Sequence, residues 1–251
     1  MEGRSAAGPH AAVRRLLVRP HPEDPSLLIL DSRQARHALR VLRMRPKDRF
    51  VAFDGLGHQW EAELVQVGPS PYARVLRPLP EVRLPYRLTL YQGLPKGERM
   101  DLVVRMGTEL GVSAFVPVRT LRTVAAGDRS ERWRRLAAEA SKQCGRATVP
   151  EVGPVVGFPQ ALERFAGHQV RLVLWEGGGR PLARAVSPDA RDVGVFVGPE
   201  GGLDPEEVVQ LQRVGTLCSL GPLVLRTETA AVASAAVVLA LLGFTSSEGG
   251  W

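Results

Sequence analysis

The chain has 251 residues, 33 Lys and Arg against 26 Asp and Glu, and a net charge of +7. That length supports a sizeable core in one large domain or two smaller ones. No apolar run approaches a membrane span, and the first ten residues lack the apolar centre of a secretory signal, so a cytoplasmic protein is expected. Cys144 and Cys218 are too far apart for a CxxC site, and the five histidines show no ligand spacing; no metal is expected. Lysine occurs only at Lys47, Lys96 and Lys142, so the positive charge is nearly all arginine, whose planar fork suits phosphate contacts and base stacking. Residues 1–85 carry 14 basic against 9 acidic residues, so the excess is concentrated in the first third.

In chain order, residues 14–18 predict a first strand, broken by Pro20, Pro22 and Pro25, and residues 27–30 a second. Asp31 reads as the N-cap of a helix running to about Met44, stopped by Pro46. Ala35, Ala38, Leu39 and Leu42 would form its apolar face. Arg33, Arg36, Arg40 and Arg43 would share another, extended by Arg45, Lys47 and Arg49. Such a stripe is either a solvated face or a phosphate-binding one. The absence of interleaved acids favours phosphate, and Arg14 joins this set as a candidate RNA contact. Residues 50–53 and 60–64 alternate as a hairpin around Asp54-Gly55-Leu56-Gly57. Residues 72–76 and 83–84 could complete a small barrel, and Pro78, Pro80 and Pro85 suggest a boundary near residue 80.

Beyond it, residues 88–91 predict a strand and 98–110 a helix ended by Gly111. Residues 115–118 are the next strand, and 129–143 a charged helix. Strand-like runs at 155–156, 170–175 and 193–197 alternate with helical stretches, which argues an α/β layer with a mainly parallel sheet. Gly198-Pro199-Glu200-Gly201-Gly202 follows the last of these. Asp204-Pro205-Glu206-Glu207 then opens a helix, with Asp at N-cap, Pro at N1 and acids in the first turn. A short run at 217–220 ends at Gly221-Pro222. Residues 230–242 form an almost wholly apolar helix that must be buried, in the core or against another subunit. Two glycine-bearing strand-to-loop units so close together suggest a ligand at the C-terminal edge of a parallel sheet. The spacing is neither GxGxxG nor a P-loop.

The two blocks Gly198-Pro199-Glu200-Gly201-Gly202 and Ser219 through Ala230, with Leu220-Gly221-Pro222 and Arg226-Thr227-Glu228-Thr229 inside the second, resemble the SPOUT superfamily of knotted methyltransferases. Within it the pattern is similar to the bacterial 16S ribosomal RNA (uracil-N3)-methyltransferase family. Residues 37–44, Phe53-Asp54-Gly55, Pro95-Lys96-Gly97, Glu109-Leu110-Gly111-Val112 and Gln143-Cys144-Gly145-Arg146 extend the resemblance over nearly the whole chain. It implies a PUA-like β-barrel RNA-binding domain over 1–80 and a trefoil-knot domain over 81–251, binding S-adenosylmethionine and acting on small-subunit ribosomal RNA as a homodimer. Met106 stands where many members carry lysine, a role here lost or supplied by Arg105.

The resemblance maps the cofactor loops onto Leu174, Trp175 and Glu176; onto Val197, Gly198, Pro199, Glu200 and Gly201; and onto Leu220, Gly221, Leu223, Leu225, Arg226, Thr229 and Ala230. Leucines can sandwich an adenine, and Glu176 can hold ribose hydroxyls or merely occupy a turn. Arg226 is the candidate catalytic residue, a cation near the uracil oxygens. Its alternative is an ion pair with Glu228 or Glu200. Thr227 and Thr229 could merely cap the last helix, whose face Ala230, Val232, Ala233, Ala236, Val237 and Leu241 is core or dimer interface rather than chemical. Lys96 and Arg122 complete the RNA-contact candidates. The alternatives are a knotted methyltransferase acting on transfer RNA or a ribose hydroxyl, and a non-catalytic RNA-binding or ribosome-assembly protein.

Overall fold

A computed structural model describes residues 14–68, 71–80, 84–124 and 127–243; Arg83 of the expected barrel lies outside them. The chain divides into two compact units, Met1–Arg83 with Ser141–Thr148, and Leu84–Ala140 with Val149–Trp251.

The first unit contains β1 (Arg15–Leu17), β2 (Arg19–Pro20), β3 (Leu27–Ile29), α1 (Ser32–Arg36), β4 (Arg49–Phe53), β5 (Gln59–Gln66) and β6 (Tyr72–Pro78). The strand order is β1-β4-β5-β6-β3-β2. β1 pairs with β4 in parallel, and the other pairings are antiparallel. The two ends of that order, β1 and β2, are separated in sequence by Val18 alone, so the sheet must curl until its edges nearly meet. Leu16, Leu28, Phe50, Ala52, Leu64 and Ala73 fill its interior. The predicted hairpin is β4–β5. Gly55 (φ 79°) and Gly57 (φ 121°) supply its turn, and Asp54 accepts from the Leu56 and His58 amides.

The predicted first helix needs correction. Asp31 does cap it, accepting from the Arg33 and Gln34 amides. After Arg36, however, the backbone widens into a π-helical turn over His37–Val41, and Arg43 has φ 52°. The reason is packing. Ala38 and Met44 are both buried (1% and 3% exposed), yet residues six apart lie about 120° apart around an α-helix. Arg43 resolves this: its positive φ turns the chain back, so that the Met44 amide donates to the Ala38 carbonyl at 2.9 Å and the Met44 side chain returns to the core. The four arginines remain exposed, but not as one α-helical stripe.

The second unit contains β7 (Arg87–Gly93), α2 (Arg99–Leu110), β8 (Ala114–Arg119), α3 (Ser130–Cys144, the residues from Ser141 on belonging to the first unit), β9 (Glu151–Val152), β10 (Val156–Gly157), α4 (Phe158–Ala166), β11 (Val170–Leu174), β12 (Arg180–Pro181), β13 (Asp192–Val197), α5 (Pro205–Val214), β14 (Thr216–Ser219) and α6 (Thr227–Leu241). All sheet pairings are parallel, in the order β10-β8-β7-β13-β11-β14-β12, with β9 beside β8. Both faces are covered, which is why the central strands read as unbroken apolar runs. Leu88, Leu90, Val193 and Val195 pack with Met100, Val103, Ala235 and Val238 on one face. Tyr91, Val173 and Phe196 pack with Phe165 and Leu211 on the other.

β13 is inserted between β7 and β11, and β14 lies beyond β11. The chain leaving β14 must therefore cross back over the C-terminal ends of β11 and β13 to begin α6, which packs on α2, β7 and β13. The expected knot depends on that crossing. α6 starts at Thr227, earlier than expected. Its buried face is Ala231, Ser234, Ala235, Val238 and Leu239, whereas Ala230, Val232, Ala233, Ala236, Val237 and Leu241 are only half-buried. A helix apolar on every side carries no periodic signal to choose between them.

Candidate functional site

Three loops at the C-terminal ends of β11, β13 and β14, together with the first turn of α6, wall a cavity of about 560 Å³. Its lining includes Leu174, Trp175, Glu176, Val197, Gly198, Pro199, Glu200, Gly201, Leu220, Gly221, Leu223, Leu225, Arg226 and Ala230. One expected residue is missing from this set. Thr229 falls within the first turn of the lengthened α6 and is exposed.

The loops are held by close approach and by buried hydrogen bonds. A Cβ added to Gly93 would lie 2.6 Å from the Pro199 amide nitrogen, so β7 and the turn after β13 touch backbone to backbone. Gly202 has φ 71°, and a Cβ there would strike Glu176 Oε1. Gln92, fully buried, donates from Nε2 to the carbonyl of Gly93 and to Thr227 Oγ1, both at 2.8 Å. Thr227 Oγ1 in turn donates to the Gly198 carbonyl at 2.5 Å. Thr227 is therefore a bridge between strand ends rather than a helix cap. The capping box of α5 does form: Asp204 accepts from the Glu206 amide, and Glu207 accepts from the Asp204 amide. Glu207, 1% exposed, also accepts from the Leu121 amide, tying the exit loop of β8 to this turn.

The electrostatics of the wall rest on a residue the sequence did not nominate. Arg99 lines the cavity and pairs with Glu200 Oε1 at 2.5 Å and with Glu228 Oε1 at 3.6 Å. Glu200 also accepts from the Lys96 amide at 2.8 Å. Burial pushes its carboxyl up, but the amide donors and Arg99 outweigh that and hold it below the usual carboxylate range. Both carboxylates that the sequence offered to Arg226 are thus engaged by Arg99. Among the described residues, the exposed Arg226 guanidinium forms no ion pair. No local pattern reveals Arg99, because its partners lie far away in sequence and meet it only when β7, β13 and α6 converge.

The cavity suits S-adenosylmethionine. Leu223 and Leu225 are exposed at 78% and 37%, an apolar lip fit for a flat heterocycle. Gly221 has open space where a Cβ would stand. The carboxylates of Glu176, Glu200 and Glu228 suit hydroxyls and a cationic group. Glu228 Oε2 is buried without a hydrogen-bond partner among the described residues.

Of the RNA-contact candidates, Arg33, Arg36, Arg40, Arg43 and Lys47 are exposed. Arg14 pairs with Asp48 at 3.0 Å, and Asp48 also accepts from the Arg45 amide. Glu61 pairs with Arg77 and Arg49. The strip is therefore not free of acids, contrary to expectation; Glu61 reaches it from the partner strand of the hairpin. In the second unit Lys96 is exposed, while Arg122 donates to the Gly201 carbonyl at 3.1 Å and pairs with Asp204. Arg122 braces the outside of the cavity loop. Among the described residues no cluster of His, Cys, Asp and Glu is placed to hold a metal. No described helix is long and apolar enough to cross a membrane.

The family model described as RNA methyltransferase domain matches residues 82–239, and that described as RNA methyltransferase PUA domain matches residues 30–76. The ribosomal RNA small subunit methyltransferase E of Mycobacterium bovis is 35% identical over 241 residues, covering 90% of this chain and 89% of its own. That of Bacillus subtilis is 32% identical over 230 residues, covering 85% and 90%. The crystal structure of the Neisseria gonorrhoeae ribosomal RNA small subunit methyltransferase E bound to S-adenosylmethionine is 30% identical, with a TM-score of 0.82 over 91% of this chain and 98% of that one. One match falls on the curled sheet, the other on the parallel sheet with its cavity, and the relatives span both. The chain belongs to the RNA methyltransferase family of which the small-subunit ribosomal RNA methyltransferases E are members.

Proposed function

We propose that this protein transfers a methyl group from S-adenosylmethionine to N3 of a uridine in 16S ribosomal RNA. The observation that carries the proposal is the three-loop cavity at the strand ends, opened to one unpaired arginine, in a chain of this family. Leu220, Leu223 and Leu225 hold the adenine, Glu176 the ribose hydroxyls, and the Gly198–Gly201 and Gly221 backbone lies close along the ligand. The bound cofactor supplies a methyl on a sulfonium, whose departure needs no proton. The remaining work belongs to the chain: align the acceptor nitrogen, exclude water, and stabilise the anion formed as N3 loses its proton. Arg226 faces the uracil oxygens and carries that charge. N3 sits on the pairing edge, so the base must leave any pair before reaction.

The N-terminal unit, over residues 1–80, binds RNA through Arg14, Arg33, Arg36, Arg40, Arg43 and Lys47, with Lys96 and Arg122 contributing beside the cavity. The protein works in the cytoplasm as a homodimer, and the half-buried apolar face of α6 is a suitable contact. To test the function, small-subunit RNA and assembled subunits lacking the modification are incubated with the protein and labelled S-adenosylmethionine, then digested to nucleosides. Label in N3-methyluridine is the expected result. Label in a ribose methyl overturns the base assignment, and no label despite tight RNA binding overturns the catalytic reading.

A further inference from the structure

Two arginines and three glutamates line the cavity: Arg99 and Arg226, with Glu176, Glu200 and Glu228. A carboxylate pairs with a guanidinium that its side chain can reach. Glu228 neighbours Arg226 across one residue of the chain, and its side chain is only 16% exposed. Its Oε2 has no hydrogen bond among the described residues, and Arg99 is the cation that Oε1 meets. Glu200 lines the same cavity. Left without a counter-charge, either carboxylate would turn to the remaining guanidinium in the cavity, which is Arg226.

We propose that Arg99 is a positioning residue: by engaging Glu200 and Glu228 together it keeps the Arg226 guanidinium free to meet the acceptor base. This rests on the assignment of Arg226 made above. Arg99 suits the task because its fork can serve two carboxylates from one planar group. It stands at the first position of α2, with its neighbour Lys96 contributing a backbone donor to Glu200. Its side chain is 39% exposed, so the pairing adds little to stability. What it sets is which arginine remains unpaired.

The test is methyl transfer at saturating cofactor for the full-length protein and for Arg99→Met, Arg99→Lys, Arg226→Ala and the triple variant Arg99→Met/Glu200→Gln/Glu228→Gln, with thermal midpoints alongside. Arg99→Met should lower kcat by about one to two powers of ten, as misplaced catalytic groups do, with its midpoint close to that of the parent. Arg99→Lys should recover part of the loss. The triple variant should turn over faster than Arg99→Met at saturating cofactor, because neutral amides no longer compete for Arg226; its S-adenosylmethionine affinity, which Glu200 and Glu228 also serve, is measured separately by titration. A purely structural role predicts that the triple variant is worse than the single one. An inactive Arg226→Ala beside a fully active Arg99→Met, or no recovery in the triple variant, overturns the proposal alone. A fully active Arg226→Ala overturns the Arg226 assignment, and this proposal with it.

Discussion

Thr227→Val replaces the hydroxyl at the crossing of three chain segments with a methyl of nearly the same shape. Thr227 is 6% exposed. Its Oγ1 donates to the Gly198 carbonyl at 2.5 Å and accepts from Gln92 Nε2 at 2.8 Å. Neither partner is left bare by the change. Gln92 Nε2 keeps the Gly93 carbonyl at 2.8 Å, and the Gly198 carbonyl keeps Gln92 at 3.4 Å. The cost is therefore two net hydrogen bonds with a modest desolvation surcharge, about 2–3 kcal/mol. For a domain of this size that corresponds to a fall of about 4–12 °C in midpoint. Calorimetric unfolding should show it, and titration should show weaker S-adenosylmethionine binding, because the Gly198 turn has lost its anchor. Thr227→Ser keeps both hydrogen bonds and should lose far less. A Thr227→Val protein matching the parent in midpoint and affinity, or a Thr227→Ser protein falling as far as Thr227→Val, would refute this account of the crossing.

Gly93→Ala places a methyl 2.6 Å from the Pro199 amide nitrogen, a backbone atom that cannot swing aside. It should destabilise by about 1–3 kcal/mol, the usual range for overpacking, read as a lower urea midpoint. Tyr91, 2% exposed, donates to His168 Nε2 at 2.9 Å, while His168 Nδ1 donates to Asp192. Burial pushes the phenol from 10.0 to about 12. The folded state thus holds this proton more tightly. This contribution to stability is fully present below about pH 10 and is lost as pH rises from there toward about 12, by roughly 2–3 kcal/mol in all. Tyr91→Phe should remove that component, so urea midpoints at pH 9 and pH 11 should lie closer together in the variant than in the parent. Asp101, 6% exposed, accepts from Trp133 Nε1 at 3.1 Å and Arg132 Nε at 2.8 Å. Asp101→Ala should cost about 1–3 kcal/mol by leaving the indole N–H unpaired, and an unchanged thermal midpoint would contradict that.

Local chemistry was legible wherever one residue type has one conformational use. Asp31 and Asp204 cap their helices, Gly111 ends α2 with φ 114°, and Gly55 with Gly57 turns the first hairpin, each as the sequence implies. The alternation of apolar runs and helical stretches implied the parallel sheet. The two glycine-bearing blocks located the cavity, because strand ends followed by glycine turns leave room for a ligand whatever surrounds them. Tertiary structure decided what local pattern cannot encode. The helix after Arg36 ends at Arg43, whose positive φ returns Met44 to the core that Ala38 already meets. The buried face of α6 was chosen by the sheet it meets, since a helix apolar on all sides offers no preference of its own. Thr227 became a bridge, and Glu200 and Glu228 were claimed by Arg99 instead of Arg226, because partners remote in sequence converge only when β13 slides between β7 and β11 and the chain crosses back to α6. An ion pair is a matter of distance, and those distances exist only in the folded chain.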